Sequence, residues 1–80
     1  MVNYVEIIGD TWFNIADNVD YIIQNRGSGL ILVKASVATP TTDAGSFELA
    51  STEIISSLIL RGNIWVKSAN EGLNTLTYAK

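Results

Sequence analysis

The fold is decided by residues 19–37, which read VDYIIQNRGSGLILVKASV. Two apolar runs rich in β-branched side chains, residues 19–24 and 30–37, flank the polar cluster NRGSG at residues 25–29. β-Branched residues favour strands, and glycines between two such runs favour a tight reversal that uses positive φ. The stretch therefore predicts two strands joined by a β-hairpin turn at residues 25–29.

The same pattern of short β-rich runs and turn residues continues along the chain. Turns are predicted at the clusters GD (9–10), RGN (61–63) and NEG (70–72), of which RGN also fits a hairpin, and a polar loop is predicted at TPTTDAGS (39–46). Regular spacing of this kind is typical of a sandwich or barrel. We predict one all-β domain over residues 1–80, a small antiparallel β-sandwich or flattened barrel of seven to eight short strands. The predicted strands are residues 4–8, 12–15, 19–24, 30–37, 47–49, 54–60, 64–68 and 73–78.

Residues 54–60, IISSLIL, fit two structures. The preceding STE at residues 51–53 could begin a single helix, in which Ile54 and Leu58 would share a face. As a strand, the same run would lead into the RGN turn and return through Ile64. The strand is the favoured interpretation, and the helix stays open.

The composition points to association between subunits. A chain of 80 residues is near the size at which small domains rely on disulfides, a structural metal or oligomerisation. The chain has no Cys and no His, so disulfides and the usual zinc sites are excluded. Hydrophobic residues make up 48% and charged residues 16% of the chain. We therefore expect a homo-oligomer.

The hydrophobic pattern supports this expectation. Residues 21–23, 30–33 and 58–60 are apolar at consecutive positions, so as strands they would be apolar on both faces. A two-layer domain buries only one face of each sheet. The second face must then be covered by a loop or by another subunit, and we favour the subunit.

Several function classes are disfavoured. Five Lys and Arg against eight Asp and Glu give a net charge of −3, which argues against nucleic-acid binding. The beginning of the chain lacks the cationic and apolar regions of a signal peptide, and no apolar run is long enough to span a membrane.

Enzymatic activity, a cofactor and a metal are not expected either. Without His and Cys, the commonest general base and the best nucleophile are missing. The oxygen cluster at residues 17–20, DNVD, lacks the ligand spacing of a Ca²⁺ loop, and a solvated turn explains it. Asp43 with Glu48 could act as an acid–base pair, but so small a domain rarely forms a deep pocket.

Four stretches follow one another along the chain: QNRGSG at residues 24–29, TPTTDAG at 39–45, GNIWVKS at 62–68 and a final L-x-x-L-x-Y at 73–78. From Tyr21 onward, this succession resembles the small all-β virion proteins encoded among the structural genes of tailed bacteriophages. Such proteins often carry Pro-Gly-Glu or Gly-Glu before the apolar stretch, whereas residues 50–53, ASTE, keep only the Glu.

The resemblance implies a non-enzymatic virion structural protein, made in the host cytoplasm and present in the virion in many copies. It would bind the capsid or tail lattice as a decoration, cement or accessory subunit, with other virion proteins and further copies of itself as partners. Residues 38–46 and 17–20 are candidate contact tips, and residues 2–8 could pair with a neighbouring sheet edge. The predicted contact residues are Val2, Tyr4, Trp12, Phe13, Thr39, Pro40 and Asp43.

The alternative is a carbohydrate or host-surface binding module of a tail fibre or related adhesin. In that function, Trp12, Tyr21 or Tyr78 would stack on sugar rings.

Overall fold

Two four-stranded antiparallel sheets form the structure, a computed structural model that describes residues 2–8, 11–69 and 73–80, with the backbone alone for residues 2–8 and Leu73. No helix occurs among these residues, and the prediction of an all-β sandwich is confirmed. The strands are β1 (Val2–Ile8), β2 (Phe13–Asp17), β3 (Ile22–Asn25), β4 (Ile31–Ala35), β5 (Phe47–Leu49), β6 (Ile54–Ser56), β7 (Asn63–Ser68) and β8 (Leu73–Ala79).

The strand order is that of a jelly roll. Sheet 1 has the order β1-β8-β3-β6, and sheet 2 has the order β2-β7-β4-β5. The pairs β1–β8, β2–β7, β3–β6 and β4–β5 are those of one long hairpin whose tip lies between β4 and β5. Pairing of β3 with β8 and of β4 with β7 rolls this hairpin into two sheets. Eight strands rolled in this way make up a jelly roll.

The hairpin predicted at residues 25–29 is wrong, because β3 lies in sheet 1 and β4 in sheet 2. The buried Asn25 side chain holds this connection: its Nδ2 donates to Gly29 O (2.7 Å) and to Leu49 O (2.8 Å), and its Oδ1 accepts from Gly27 N (2.9 Å). A Cβ on Gly27 would lie 1.5 Å from Asn74 Oδ1. An added Cβ would therefore displace the Asn74 side chain of β8 and lie 3.1 Å from Thr75 N, so glycine suits the close approach of β8.

The run at residues 54–60 is a strand only as far as Ser56. Both Ile59 N and Leu60 N donate to Ser56 O (2.9 and 3.1 Å), which forms a turn instead of more strand. The RGN cluster is not a hairpin, because β6 and β7 lie in different sheets. Gly62 has a φ of 121° there, a conformation that favours glycine. The turns predicted at residues 9–10 and 70–72 lie outside the described residues.

The core lies between the sheets and consists of alternate residues from facing strands. In β7, for example, Ile64 and Val66 are fully buried while Trp65 between them is partly exposed. Alternation of this kind is expected when one face of a strand points inward. The buried core residues are Ile15, Ala16, Tyr21, Ile23, Ile31, Val33, Leu49, Ile55, Ile64, Val66 and Leu76.

Candidate interaction surfaces

The apolar run at residues 30–33 has its outer face covered within the chain. Ile31 and Val33 belong to the core, whereas Leu32, which points the other way, is outside the core cluster and still only 7% exposed. The expectation that another subunit covers this run is therefore wrong for Leu32.

Residues 36–46, the connection between β4 and β5, lie over this outer face of sheet 2. Lys67 Nζ is 2.6 Å from Asp43 Oδ1, and Lys34 Nζ donates to Thr42 O (3.2 Å). Trp65 Nε1 donates to Ser36 O (2.9 Å). Since Lys34, Trp65 and Lys67 all lie on the strands beneath, these contacts hold the loop against its own sheet.

This loop contains three of the predicted contact residues. Thr39 and Asp43 are exposed, and Asp43 forms the ion pair described above. Pro40 is instead buried within the chain, so it offers little surface to a partner. Val37, at 93% exposure, is the most accessible large apolar side chain of the loop.

The other predicted contact residues lie on or beside β1 and β2, which belong to different sheets. Val2 and Tyr4 are in β1, opposite Ala79 and Thr77 of β8. Phe13, in the edge strand β2, is 41% exposed. Trp12 is partly exposed and carries Lys67 Nζ at 5.3 Å from the ring centroid, a cation–π distance. Because the same Lys67 Nζ pairs with Asp43, Trp12 and Asp43 lie close together. Val2 and Tyr4 belong to the other sheet, so the structure does not bring all seven predicted residues together in one site.

The outer face of sheet 1 is exposed at β3 and β6. Ile22 in β3 and Ile54 in the neighbouring β6 are 48% and 54% exposed. Leu58 and Ile59, in the turn that follows β6, are 93% and 65% exposed. Because β3 pairs with β6 and the turn follows β6 directly, we group these four side chains as the apolar patch.

Hydrogen bonds fix the turn that presents half of this patch. The Tyr21 hydroxyl donates to Leu60 O (2.5 Å), and Ser57 N donates to Tyr21 O (3.1 Å). Ser56 Oγ accepts from Leu58 N (3.3 Å). Because the turn is bonded at both ends and across its middle, Leu58 and Ile59 are held outward instead of folding back onto the sheet.

The charged groups beside this turn are exposed. Asp20 Oδ1 lies 3.3 Å from Arg61 Nη1 and also accepts from Ser57 Oγ (3.3 Å). Burial raises the pKa of the Tyr21 hydroxyl above its usual value, and the positive charge of Arg61 partly offsets this increase. Tyr21 is therefore a neutral hydrogen-bond donor at physiological pH.

Sequence reasoning did not select the residues of the apolar patch as contacts. The sequence does carry a signal for three of them, since residues 21–23 and 58–60 are apolar at consecutive positions. The strand assigned to residues 54–60 would have placed Leu58 and Leu60 on one face together. The turn instead separates Leu58 and Ile59 from the half-buried Leu60.

The described residues bring together no group of three or more acidic side chains that could hold a metal ion. Their buried side-chain polar atoms all have hydrogen-bond partners. Nor do they include a helix of the length and hydrophobicity needed to cross a bilayer. Of the aromatic residues considered for sugar stacking, Tyr21 is buried and Tyr78 packs against the core, which leaves Trp12.

Comparison of the chain with known protein families, with curated proteins and with solved structures finds no match. The fold itself is shared by viral capsid domains, lectins and cupins. Since one fold supports such different activities, function has to be argued from the surfaces.

Proposed function

We propose that this chain is a non-enzymatic structural protein of a bacteriophage particle, which occurs in many copies and docks on the capsid or tail lattice through the apolar patch. The observation that carries the proposal is the turn at residues 57–60, which displays Leu58 and Ile59 to solvent while hydrogen bonds hold it in place. A soluble chain gains nothing in stability from two such side chains in water. Exposed apolar patches of this kind mark interaction sites.

The patch suits binding in many copies. Complete burial of a Leu or Ile side chain contributes about 1.5–3 kcal/mol. Association itself costs about 4–15 kcal/mol, so one patch of four such side chains gives only modest affinity. Repetition on a symmetric lattice raises the effective concentration of each further contact. A subunit with a small patch therefore binds firmly where its partner sites recur.

Two further observations support the proposal by analogy. The strand order is shared with viral capsid domains. The motifs at residues 24–29, 39–45 and 62–68 resemble those of small virion proteins. By this proposal the chain is made in the host cytoplasm and ends in the virion, with other virion proteins as its partners.

The test compares the Leu58 and Ile59 pair with one side chain elsewhere that is as exposed as Leu58. A tagged chain is expressed during growth of the phage that encodes it, and particles are purified on a density gradient. Quantitative mass spectrometry then gives the number of tagged chains per particle. We expect many copies of the unaltered chain and at least about a tenfold loss for L58S/I59S, because apolar burial of about 3 kcal/mol is removed.

Val37→Ser is the matched control, because Val37 is as exposed as Leu58 but lies in the loop between β4 and β5. It should leave the copy number unchanged. Absence of the unaltered chain from particles, or equal incorporation of all variants, would contradict the proposal.

The rival function, a carbohydrate or host-surface module, depends on Trp12. The Lys67 ammonium lies over its ring at 5.3 Å, where it competes with a sugar for the aromatic face. A glycan array separates the two functions. Saturable binding that is lost in Trp12→Ala and kept in L58S/I59S would favour the rival.

A further inference from the structure

Three of the four sheet edges carry features that hinder pairing with another chain. In β2 the register shifts between Asn14 and Ala16, and Lys80 Nζ donates to Ile15 O (2.9 Å) at the bulge. The edge strands β5 and β6 are each only three residues long, and the turn at residues 57–60 ends β6. Bulges and short length are ordinary protections of sheet edges.

The fourth edge, β1, has none of these protections. It pairs with β8 through seven consecutive residues without a register shift, and it is the outermost strand of sheet 1. Its sequence, VNYVEII, contains no Pro and one charged residue, Glu6. A long, regular edge with few charges is a template for strand addition.

The hydrogen bonds and register of β3, β8 and β1 identify which backbone groups of β1 point away from the sheet. Arg26 N donates to Thr75 O, so the backbone groups of Thr75 point toward β3. Glu6 is the register partner of Thr75 on the other side. In an antiparallel ladder the bonding direction alternates, so Glu6 directs its N–H and C=O outward. The same alternation applies to Val2, Tyr4 and Ile8.

We propose that β1 pairs with β1 of a second copy of this chain, antiparallel and centred on Val5. In this register Tyr4 lies opposite Glu6 of the second copy, and Val2 lies opposite its Ile8. All four outward residues are then paired with outward residues. Moving the centre to Glu6 would set two like charges opposite each other, which is unfavourable.

A second copy fits this edge better than an unrelated strand. Antiparallel pairing of identical strands is self-complementary, so it closes as a two-fold dimer and leaves no growing edge. It also supplies the association that a chain of 80 residues without Cys and His calls for.

The pairing has a consequence for docking, and this step rests on the proposed function. A two-fold axis perpendicular to the joined sheet keeps the outer faces of both copies on the same side. The two apolar patches of a dimer then face one lattice together. Bivalent docking of this kind raises the apparent affinity without any new contact.

Single cysteines test the register, since the chain has no Cys of its own. Residues opposite each other in a non-hydrogen-bonded pair have Cα atoms about 4.5 Å apart, within the disulfide range of about 4.4–6.8 Å. Val5→Cys should therefore form a disulfide dimer of twice 8.7 kDa under mild oxidation, at least about tenfold faster than Asn3→Cys. The two Asn3 residues would be four positions out of register, about 13 Å apart.

A mixture of Asn3→Cys and Ile7→Cys should restore rapid crosslinking, because these residues face each other in the same register. If Val5→Cys destabilises the fold, a mixture of Tyr4→Cys and Glu6→Cys tests the same register at a pair about 5.5 Å apart. Crosslinking no faster than that of Asn3→Cys, in Val5→Cys or in the mixtures, would overturn the proposal.

The experiment uses the isolated chain, so its result is separate from that of particle binding. Failure of the crosslink with normal incorporation into particles would overturn the dimer alone. Crosslinking of a chain that never enters particles would overturn the proposed function and leave the dimer standing.

Discussion

At the scale of single residues, Asn25 links the two sheets. It is fully buried in β3 of sheet 1, and its side-chain amide donates to Leu49 O in β5 of sheet 2. Its backbone N–H and C=O bond to Glu53 O (3.0 Å) and Thr52 N (2.9 Å). The Asn25 side chain therefore holds both the β3–β4 connection and the end of β5. A hairpin turn would be held by backbone hydrogen bonds alone.

Asn25→Ala is predicted to destabilise the fold by about 3 kcal/mol, because it removes a buried partner of Leu49 O and the partly buried partners of Gly27 N and Gly29 O. The measurement is the free energy of unfolding from urea titration. Asn14→Ala is the control, since Asn14 makes one side-chain bond, to Ile64 O, in a partly buried place. It should cost about 1 kcal/mol. Equal losses in the two variants would contradict the role given to Asn25.

Tyr21 gives the stability a dependence on alkaline pH. Burial raises the pKa of its hydroxyl in the folded chain above the unfolded value of about 10. The folded state therefore favours the neutral form. The stabilisation is complete below the unfolded pKa and is lost as pH rises through the folded pKa.

Tyr21→Phe is predicted to reduce this alkaline loss of stability, measured as the urea midpoint at a series of pH values. It should also lower the stability at neutral pH by about 1 kcal/mol, because Leu60 O loses its donor. An equally steep alkaline decline in the variant would show that other groups cause it.

At the scale of elements, the strands were predictable and their connections were not. Residues 47–49 match β5, and the predicted strands at 4–8, 64–68 and 73–78 differ from β1, β7 and β8 by one or two residues at an end. Local patterns of apolar and turn residues suffice for this. Whether NRGSG turns back or crosses to the other sheet depends on Asn25 reaching Leu49, 24 positions away. No local pattern contains that contact.

Loss of the Asp43–Lys67 ion pair is predicted to loosen the loop at residues 36–46 while changing the free energy of unfolding of the whole domain only slightly. Asp43 is more than half exposed, so Asp43→Ala should cost at most about 1 kcal/mol of stability. Hydrogen exchange at the Ser46 amide, which donates to Asp43 O, should become faster, while the amides of β4 keep their protection.

Asp20→Ala is the control for this prediction, because it removes an exposed ion pair with Arg61 outside the loop. It should leave exchange at Ser46 unchanged. Identical exchange in the two variants would mean that the contacts of Lys34 and Trp65 hold the loop by themselves.

At the scale of the whole molecule, the sequence predicted more apolar surface than one sandwich can bury. In the structure, part of this surface is covered by a loop and part stays exposed. The loop between β4 and β5 covers the outer face around Leu32, whereas Ile22, Ile54, Leu58 and Ile59 stay exposed. A hydrophobic pattern counts apolar side chains on a face, but it cannot tell which faces a long loop will reach. The sequence pattern therefore indicated that some apolar side chains would stay exposed, but it could not tell which ones.

The dimer proposed through β1 predicts that stability rises with protein concentration. Folding of a dimer is linked to association, so a hundredfold increase in concentration should stabilise it by about 2.7 kcal/mol of dimer. The measurement is the urea midpoint at both concentrations.

Glu6→Pro removes an outward N–H that pairs only in the dimer, and proline is tolerated at such edge positions. Its midpoint should therefore be independent of concentration. L58S/I59S should keep the concentration dependence of the unaltered chain, because the apolar patch lies outside the β1 edge. If this dependence disappeared with the patch and persisted in Glu6→Pro, the copies would associate through the patch and not through β1.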